Sequence, residues 1–148
     1  MPIPKLNKLG YLPAGIHDCT LPEIKKRFGN FQTNSRRVEL FESLEKFVGD
    51  VGNTGVVGAL IVDGSFVTNN ASPNDIDIIL VLAKDFSFDE ELPPAVYNVL
   101  SRRRVKRRYK FDVFVDKEQS PAYKEHVAFF QQVRNSPRRR KGCLRLKL

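Results

Sequence analysis

Asp75 and Asp77 stand one residue apart in the stretch "NDIDIILVL". On a strand of period two they share a face with Ile79 and Val81, while Ile76, Ile78, Leu80 and Leu82 take the other. Two carboxylates so placed, roughly 6–7 Å apart, repel and lose hydration, at a cost of a few kcal/mol unless a cation or donors compensate. A divalent metal is the simplest remedy, and Mg²⁺ or Mn²⁺ prefers oxygen ligands of this kind. The alternative is an exposed strand end in which a Ser-Pro-Asn-Asp turn simply closes. What surrounds the pair favours chemistry. Gly64 and Ser65 follow the apolar run "VVGALIV" and precede the acids by a short spacer, and Asp112 lies later in the alternating stretch "YKFDVFVD". Lys110 is close enough in sequence to offer Asp112 a plain ion pair instead.

This order, a hydrophobic strand, Gly-Ser, a spacer, acid-hydrophobic-acid and a third acid on a later strand, resembles the polymerase-beta-like nucleotidyltransferase superfamily over about residues 56–115. The resemblance implies that Asp75, Asp77 and Asp112 are catalytic metal ligands for Mg²⁺ or Mn²⁺. It implies that Gly64, Ser65 and Thr68 contact the triphosphate of an NTP, and that an NMP passes to a hydroxyl of RNA, a protein or a small molecule. Phe66 to Asn69 stand where many small members carry Arg and a second Gly. That departure leaves open a noncatalytic module of the same fold that binds RNA or a partner protein, as in a toxin-antitoxin or defence pair. A second resemblance, to small prokaryotic proteins with a minimal domain of this kind, rests on Tyr11–His17, Asp63–Thr68, Pro73–Asp77 and Lys141–Gly142.

The elements needed to hold these residues are legible in outline. Thr20 as N-cap, Pro22 and Glu23 predict a short helix over 21–28 ending at Gly29. Asn34 or Ser35 caps a second helix over about 36–49, with Val38, Phe41, Leu44, Phe47 and Val48 as its core stripe, Glu39, Glu42 and Glu45 on its solvated face, and "GNTG" as its break. Strands are expected at about 56–62, 75–82 and across "YKFDVFVD", an acidic Pro-rich loop over 85–94, helices over about 94–103 and 121–133, and a short last strand in "CLRLKL". The class is therefore α/β (α+β): a small mixed sheet flanked by helices, with a nucleotidyltransferase-like core. One domain is expected, its core at about 36–133, an extended N-terminal segment at 1–20 and a basic C-terminal segment at 134–148.

Charge is strongly localised. Seven basic residues fall in 102–110 and five in 134–141, so the other 13 basic residues are outnumbered by 17 acids and the whole excess of +8 resides in two segments. Arg102, Arg103, Arg104, Lys106, Arg107 and Arg108, with Arg138, Arg139 and Arg140, are the candidate nucleic-acid contacts, Tyr109 and Phe111 standing beside the first group. A solvated face or an acidic protein partner is the plainer explanation. A chain of 148 residues, 41% hydrophobic, can bury a core without disulfides. Cys19 and Cys143 have no metal-ligand spacing and read as reduced thiols. No apolar stretch reaches the length of a membrane span and no signal-peptide pattern opens the chain, which predicts a cytoplasmic protein with no membrane partner. His17 and His126 lack a partner at readable spacing and are expected to be structural, and Asp63 to cap a turn.

Overall fold

The computed structural model describes residues 3–29, 35–87, 91–133 and 136–148. Among these residues seven strands and five α-helices follow in the order β1 (Gly15–Cys19), α1 (Leu21–Ile24), α2 (Arg36–Thr54), β2 (Val57–Asp63), β3 (Asp77–Leu82), α3 (Pro94–Leu100), α4 (Arg102–Tyr109), β4 (Asp112–Lys117), α5 (Pro121–Phe130), β5 (Gln132–Val133), β6 (Ser136–Arg140) and β7 (Gly142–Lys147). The fold is mixed α/β. One five-stranded sheet runs β1-β7-β2-β3-β4, and β5 and β6 form a separate two-stranded sheet. β1 pairs with β7 and β3 with β4 in parallel, while β2 is antiparallel to both β7 and β3.

The alternation expected in β3 holds. Ile78, Leu80 and Leu82 join Leu60, Val62, Val113, Leu144 and Leu146 in the larger core, which α2, α3 and α4 cover. Ile79 and Val81 face the opposite side with Ile61, Tyr123, Phe130 and Cys143, beneath α5. A strand buried on both faces needs exactly such apolar residues at both parities, which is why the run reads as nearly continuous.

Several boundaries differ from the sequence expectation. Thr20 does form a capping box with Glu23, but α1 passes after one turn into a π-helical turn, Lys25–Gly29. α2 runs through Gly49 and Gly52 to Thr54 and stops at Gly55, whose φ of 69° supplies the left-handed cap. Its buried face is Arg37, Leu40, Phe41, Leu44, Phe47 and Val51, so Val38, 41% exposed, is not core. Ser35 occupies the cap position but bonds the Glu39 side chain, and the alternative cap Asn34 lies outside the described residues. The helix expected over 94–103 is two: Ser101 ends α3 and caps α4 by accepting from the Arg104 amide. The arginine cluster is thus itself helical, anchored by buried Val105 and Tyr109. The segment expected to be merely extended contains β1, and the basic C-terminal segment contributes β6 and the inserted strand β7. Arg134, the first residue of the second basic run, lies outside the described residues, as does part of the 85–94 loop.

No helix among the described residues is long and apolar enough to cross a membrane. Both cysteines are free and buried, and burial pushes each thiol up to about 12.

Candidate functional site

Three carboxylates stand in one row at one end of the sheet. Asp63 closes β2 and pairs in register with Asp77, which opens β3, and Asp77 pairs in register with Asp112, which opens β4. Strands lie about 4.8 Å apart, so the row spans roughly 10 Å. Residues in register share a face, and these three share theirs with Ile61, Ile79 and Phe114, on the side covered by α5. Asp75 is not in β3, contrary to the expected strand over 75–82: it lies in the loop that enters β3. The sequence therefore located Asp75, Asp77 and Asp112 in one neighbourhood but missed Asp63. A carboxylate closing an apolar strand directly before Gly-Ser was the available signal.

The 64–75 loop is built to deliver Asp75. Gly64, at φ 96°, passes so close to the incoming strand that a Cβ would lie 2.7 Å from the Asp75 carbonyl oxygen. Ser65 then turns inward. Its amide donates to Asp75 Oδ1 at 3.0 Å, its hydroxyl donates to the same oxygen, and its Oγ accepts from the Asn74 amide at 3.0 Å. The next amides are also committed, Phe66 to the Asp75 carbonyl and Val67 to that of Gly64. Thr68 is buried, and its hydroxyl donates to the Ser65 carbonyl at 2.6 Å. In this arrangement Ser65 and Thr68 hold the loop and Asp75, rather than presenting donors outward.

Two arginines in the first turn of α2 hold that loop from behind. Arg36 donates to the carbonyls of Pro73 and Asn74 at 3.1 and 3.0 Å. Arg37 is fully buried and spreads its guanidinium over the carbonyls of Phe28, Phe66, Thr68 and Asn70, with its plane near the Phe66 ring. Burial lowers its pKa to about 10. Sequence reasoning missed both. Their signals were a basic pair at a helix N-terminus, where the dipole disfavours cations, and the phase of Arg37 with Leu40, Phe41 and Leu44.

A lysine caps each end of the acid row. Lys141 Nζ lies 3.0 and 2.9 Å from the two oxygens of Asp63, a pair 14% and 5% exposed, and Lys106 lies 3.3 Å from Asp112, a pair more than half exposed. The partner of Asp112 is thus Lys106, not Lys110, whose Nζ donates to the Arg107 carbonyl. Asp77, between them, makes no ion pair among the described residues. Burial, then the charges of Asp75, Asp63 and Asp112, pushes its carboxyl up to about 7. Asp63 is raised to about 6, chiefly by burial and against the pull of Lys141.

A cavity of about 950 Å³ opens over this end of the sheet. Asp63, Asp75, Asp77, Ser65 and Lys141 form its polar wall, and Leu9, Tyr11, Phe129 and Val133 its apolar one. Asp112 lies beside the cavity, not in its lining. The four segments that carried the second resemblance meet here: Tyr11, Asp63, Asp75 and Lys141 all line the cavity, and Gly142 packs under the Pro13 carbonyl and beside His17. As placed, no three His, Cys, Asp or Glu side chains among the described residues converge into a metal-holding group; Asp75 Oδ1 accepts from Ser65 and Asp112 pairs with Lys106. The donor chemistry nevertheless suits a hard divalent cation, since every acid in the row is an oxygen ligand and Asp77 makes no direct ion pair among the described residues.

The remaining candidates separate. Arg102, Arg103, Arg104, Arg107 and Arg108 are exposed on α4, Arg102 lying 5.0 Å over the Phe114 ring and Arg104 4.3 Å over Tyr97. Arg138, Arg139 and Arg140 are exposed on β6, whose first residue, Ser136, lines the cavity. His126 is not solitary: Nδ1 lies 2.6 Å from Asp116 Oδ2, and its ring stacks on Phe114. His17 Nε2 lies 2.7 Å from the Pro13 carbonyl, a structural contact.

The chain belongs to a family of unknown function (DUF6932), whose model matches residues 4–147. No curated protein matches it, and no solved structure does.

Proposed function

We propose that this chain is a metal-dependent nucleotidyltransferase that moves an NMP from an NTP to a hydroxyl of an RNA, a protein or a small molecule. The observation that carries the reading is the in-register row of Asp63, Asp77 and Asp112 with Asp75 pinned beside it, a costly arrangement that a cation would relieve. Asp75, Asp77 and Asp112 would hold Mg²⁺ or Mn²⁺. Bound there, the metal would supply charge neutralisation at the α-phosphate and the leaving pyrophosphate and activate the acceptor hydroxyl.

The chain's own residues do the positioning. Arg36, Arg37, Gly64 and Ser65 fix the loop that brings Asp75 to the row. Phe129, 64% exposed, and Leu9, 53% exposed, offer an apolar wall on which a base can lie. Asp112, more exposed than its neighbours, leaves the open side of the row to the acceptor. As the bond from the acceptor oxygen to the α-phosphorus forms, that to the pyrophosphate oxygen breaks, pyrophosphate leaves with the bonding pair, and the hydroxyl proton passes to water at the open side of the row.

One observation favours the noncatalytic module as a second reading: the amides of Ser65, Phe66 and Val67 are all used within the loop, so they offer nothing to a triphosphate. In that case the basic segments hold RNA or a partner protein.

Calorimetric titration of Mn²⁺ with each NTP separates the two. The enzyme reading expects metal-dependent binding with a preferred base, weakened at least about tenfold in Asp75→Asn/Asp77→Asn, while polyanion binding is retained or strengthened. Turnover surviving in that double variant would end the catalytic assignment. A folded wild-type protein that binds no Mn²⁺-nucleotide would move the function to the module.

A further inference from the structure

Lys141 is the one basic side chain in the cavity wall among the described residues, and it is committed to an acid of the row rather than to solvent. Its backbone is anchored on both sides. The Lys141 amide donates to the Gln131 carbonyl at 2.9 Å, and Gly142 donates to Leu12 and sits so near Pro13 that a Cβ would lie 2.0 Å from that carbonyl oxygen. Only the side chain has freedom, an ammonium on a four-carbon stem. The loop amides that would otherwise receive phosphate oxygens are spent. A polyphosphate in this cavity therefore has one cationic side chain to meet among the described residues, and that cation is held by the two oxygens of Asp63.

Building on the reading of the site given above, we infer that Lys141 is the polyphosphate-binding residue, and that without a divalent cation it stands in for one against Asp63. A metal ion held by Asp75 and Asp77 would lie beside Asp63, the register partner of Asp77, and would supply there the charge that Lys141 now supplies. The ammonium is then released from Asp63 to the phosphate oxygens of the nucleotide. Metal and Lys141 compete when the metal comes alone and cooperate when it comes with a polyphosphate. A purely structural ion pair would do neither.

The opposite signs make the test. Mn²⁺ alone, Mn²⁺ with inorganic tripolyphosphate, and Mn²⁺ with each NTP are titrated into wild type, Lys141→Met and Lys141→Gln, with Asp75→Asn/Asp77→Asn as the control for the acid row. The glutamine variant keeps a hydrogen bond to Asp63 without the charge and serves if the methionine variant does not fold. Expected is Mn²⁺ binding up to about tenfold tighter in the lysine variants, with tripolyphosphate and NTP affinity falling by roughly 10- to 100-fold, and Mn²⁺ binding that is unchanged in them would refute the competition. If wild type binds Mn²⁺ and tripolyphosphate through Asp75 and Asp77 but the lysine variants bind tripolyphosphate equally well, the role of Lys141 is refuted and the site stands. If a folded lysine variant loses Mn²⁺ binding itself, Lys141 only braces Asp63 and the inference falls. If wild type takes up no Mn²⁺, the reading of the site fails first and carries this one with it.

Discussion

At the scale of single residues, Asp77 concentrates the tension of the site. Folded, its carboxyl is raised from 3.8 to about 7, so between those pH values the folded chain holds a proton that the unfolded chain has released. The contribution of Asp77 to stability then falls as pH rises across that window and levels off above it. Asp77→Asn removes this group's share of the dependence and leaves that of Asp63, raised to about 6. It is expected to match wild type near pH 4 and to exceed it at pH 8 by about 1–2 kcal/mol, or roughly 3–8 °C in Tm. Parallel thermal melts of the two proteins check this, and equal melting temperatures at pH 8 would mean that the row is well compensated as it stands. A carboxylate whose replacement improves the fold is kept for something other than the fold.

At the scale of elements, α2 does two jobs that its sequence pattern shows unequally. Its apolar stripe predicted a core helix, but its first turn is the rear clamp of the 64–75 loop through Arg36 and Arg37. Arg37→Leu would leave the carbonyls of Phe28, Phe66, Thr68 and Asn70 without the donors they now share, and should cost about 3–5 kcal/mol in urea unfolding. Arg37→Lys should recover only part of that, because an ammonium has three donors and no planar fork. A loss below about 1 kcal/mol in the leucine variant would show that the loop holds itself. β2 and β3 were legible because their apolar residues and small-residue turns are local signals. β1, β5 and β6 were not: "GIHDC" and "SPRRR" have little strand pattern of their own and become strands only because β7 and β5 offer them edges. The same reason hid Asp63 and Lys141, whose meaning arises from a pairing 78 residues apart in sequence.

At the scale of the whole molecule, much of the basic charge is displayed on α4 and on β6, whose first residue lines the cavity. If these surfaces guide a nucleic acid, single-stranded RNA binding will weaken steeply with salt. Replacing Arg138, Arg139 and Arg140 by Ser should then reduce the slope of log K against log salt by roughly 2, as should replacing Arg103, Arg107 and Arg108. Anisotropy titrations at several salt concentrations read this directly, and an unchanged slope in both variants would assign the charge to another partner. The position of β7 has a further consequence, for the order of events during synthesis. It lies between β1 and β2, and pairs with a strand whose residues were made 127 positions earlier. Everything upstream must wait on the ribosome with an open seam in the sheet until residues 142–147 emerge, a long-range closure of the kind that folds slowly and exposes unpaired edges. Lys141 emerges at the same moment, so a nascent chain that lacks residues 141–147 has neither the closed five-stranded sheet nor the ion pair that holds Asp63.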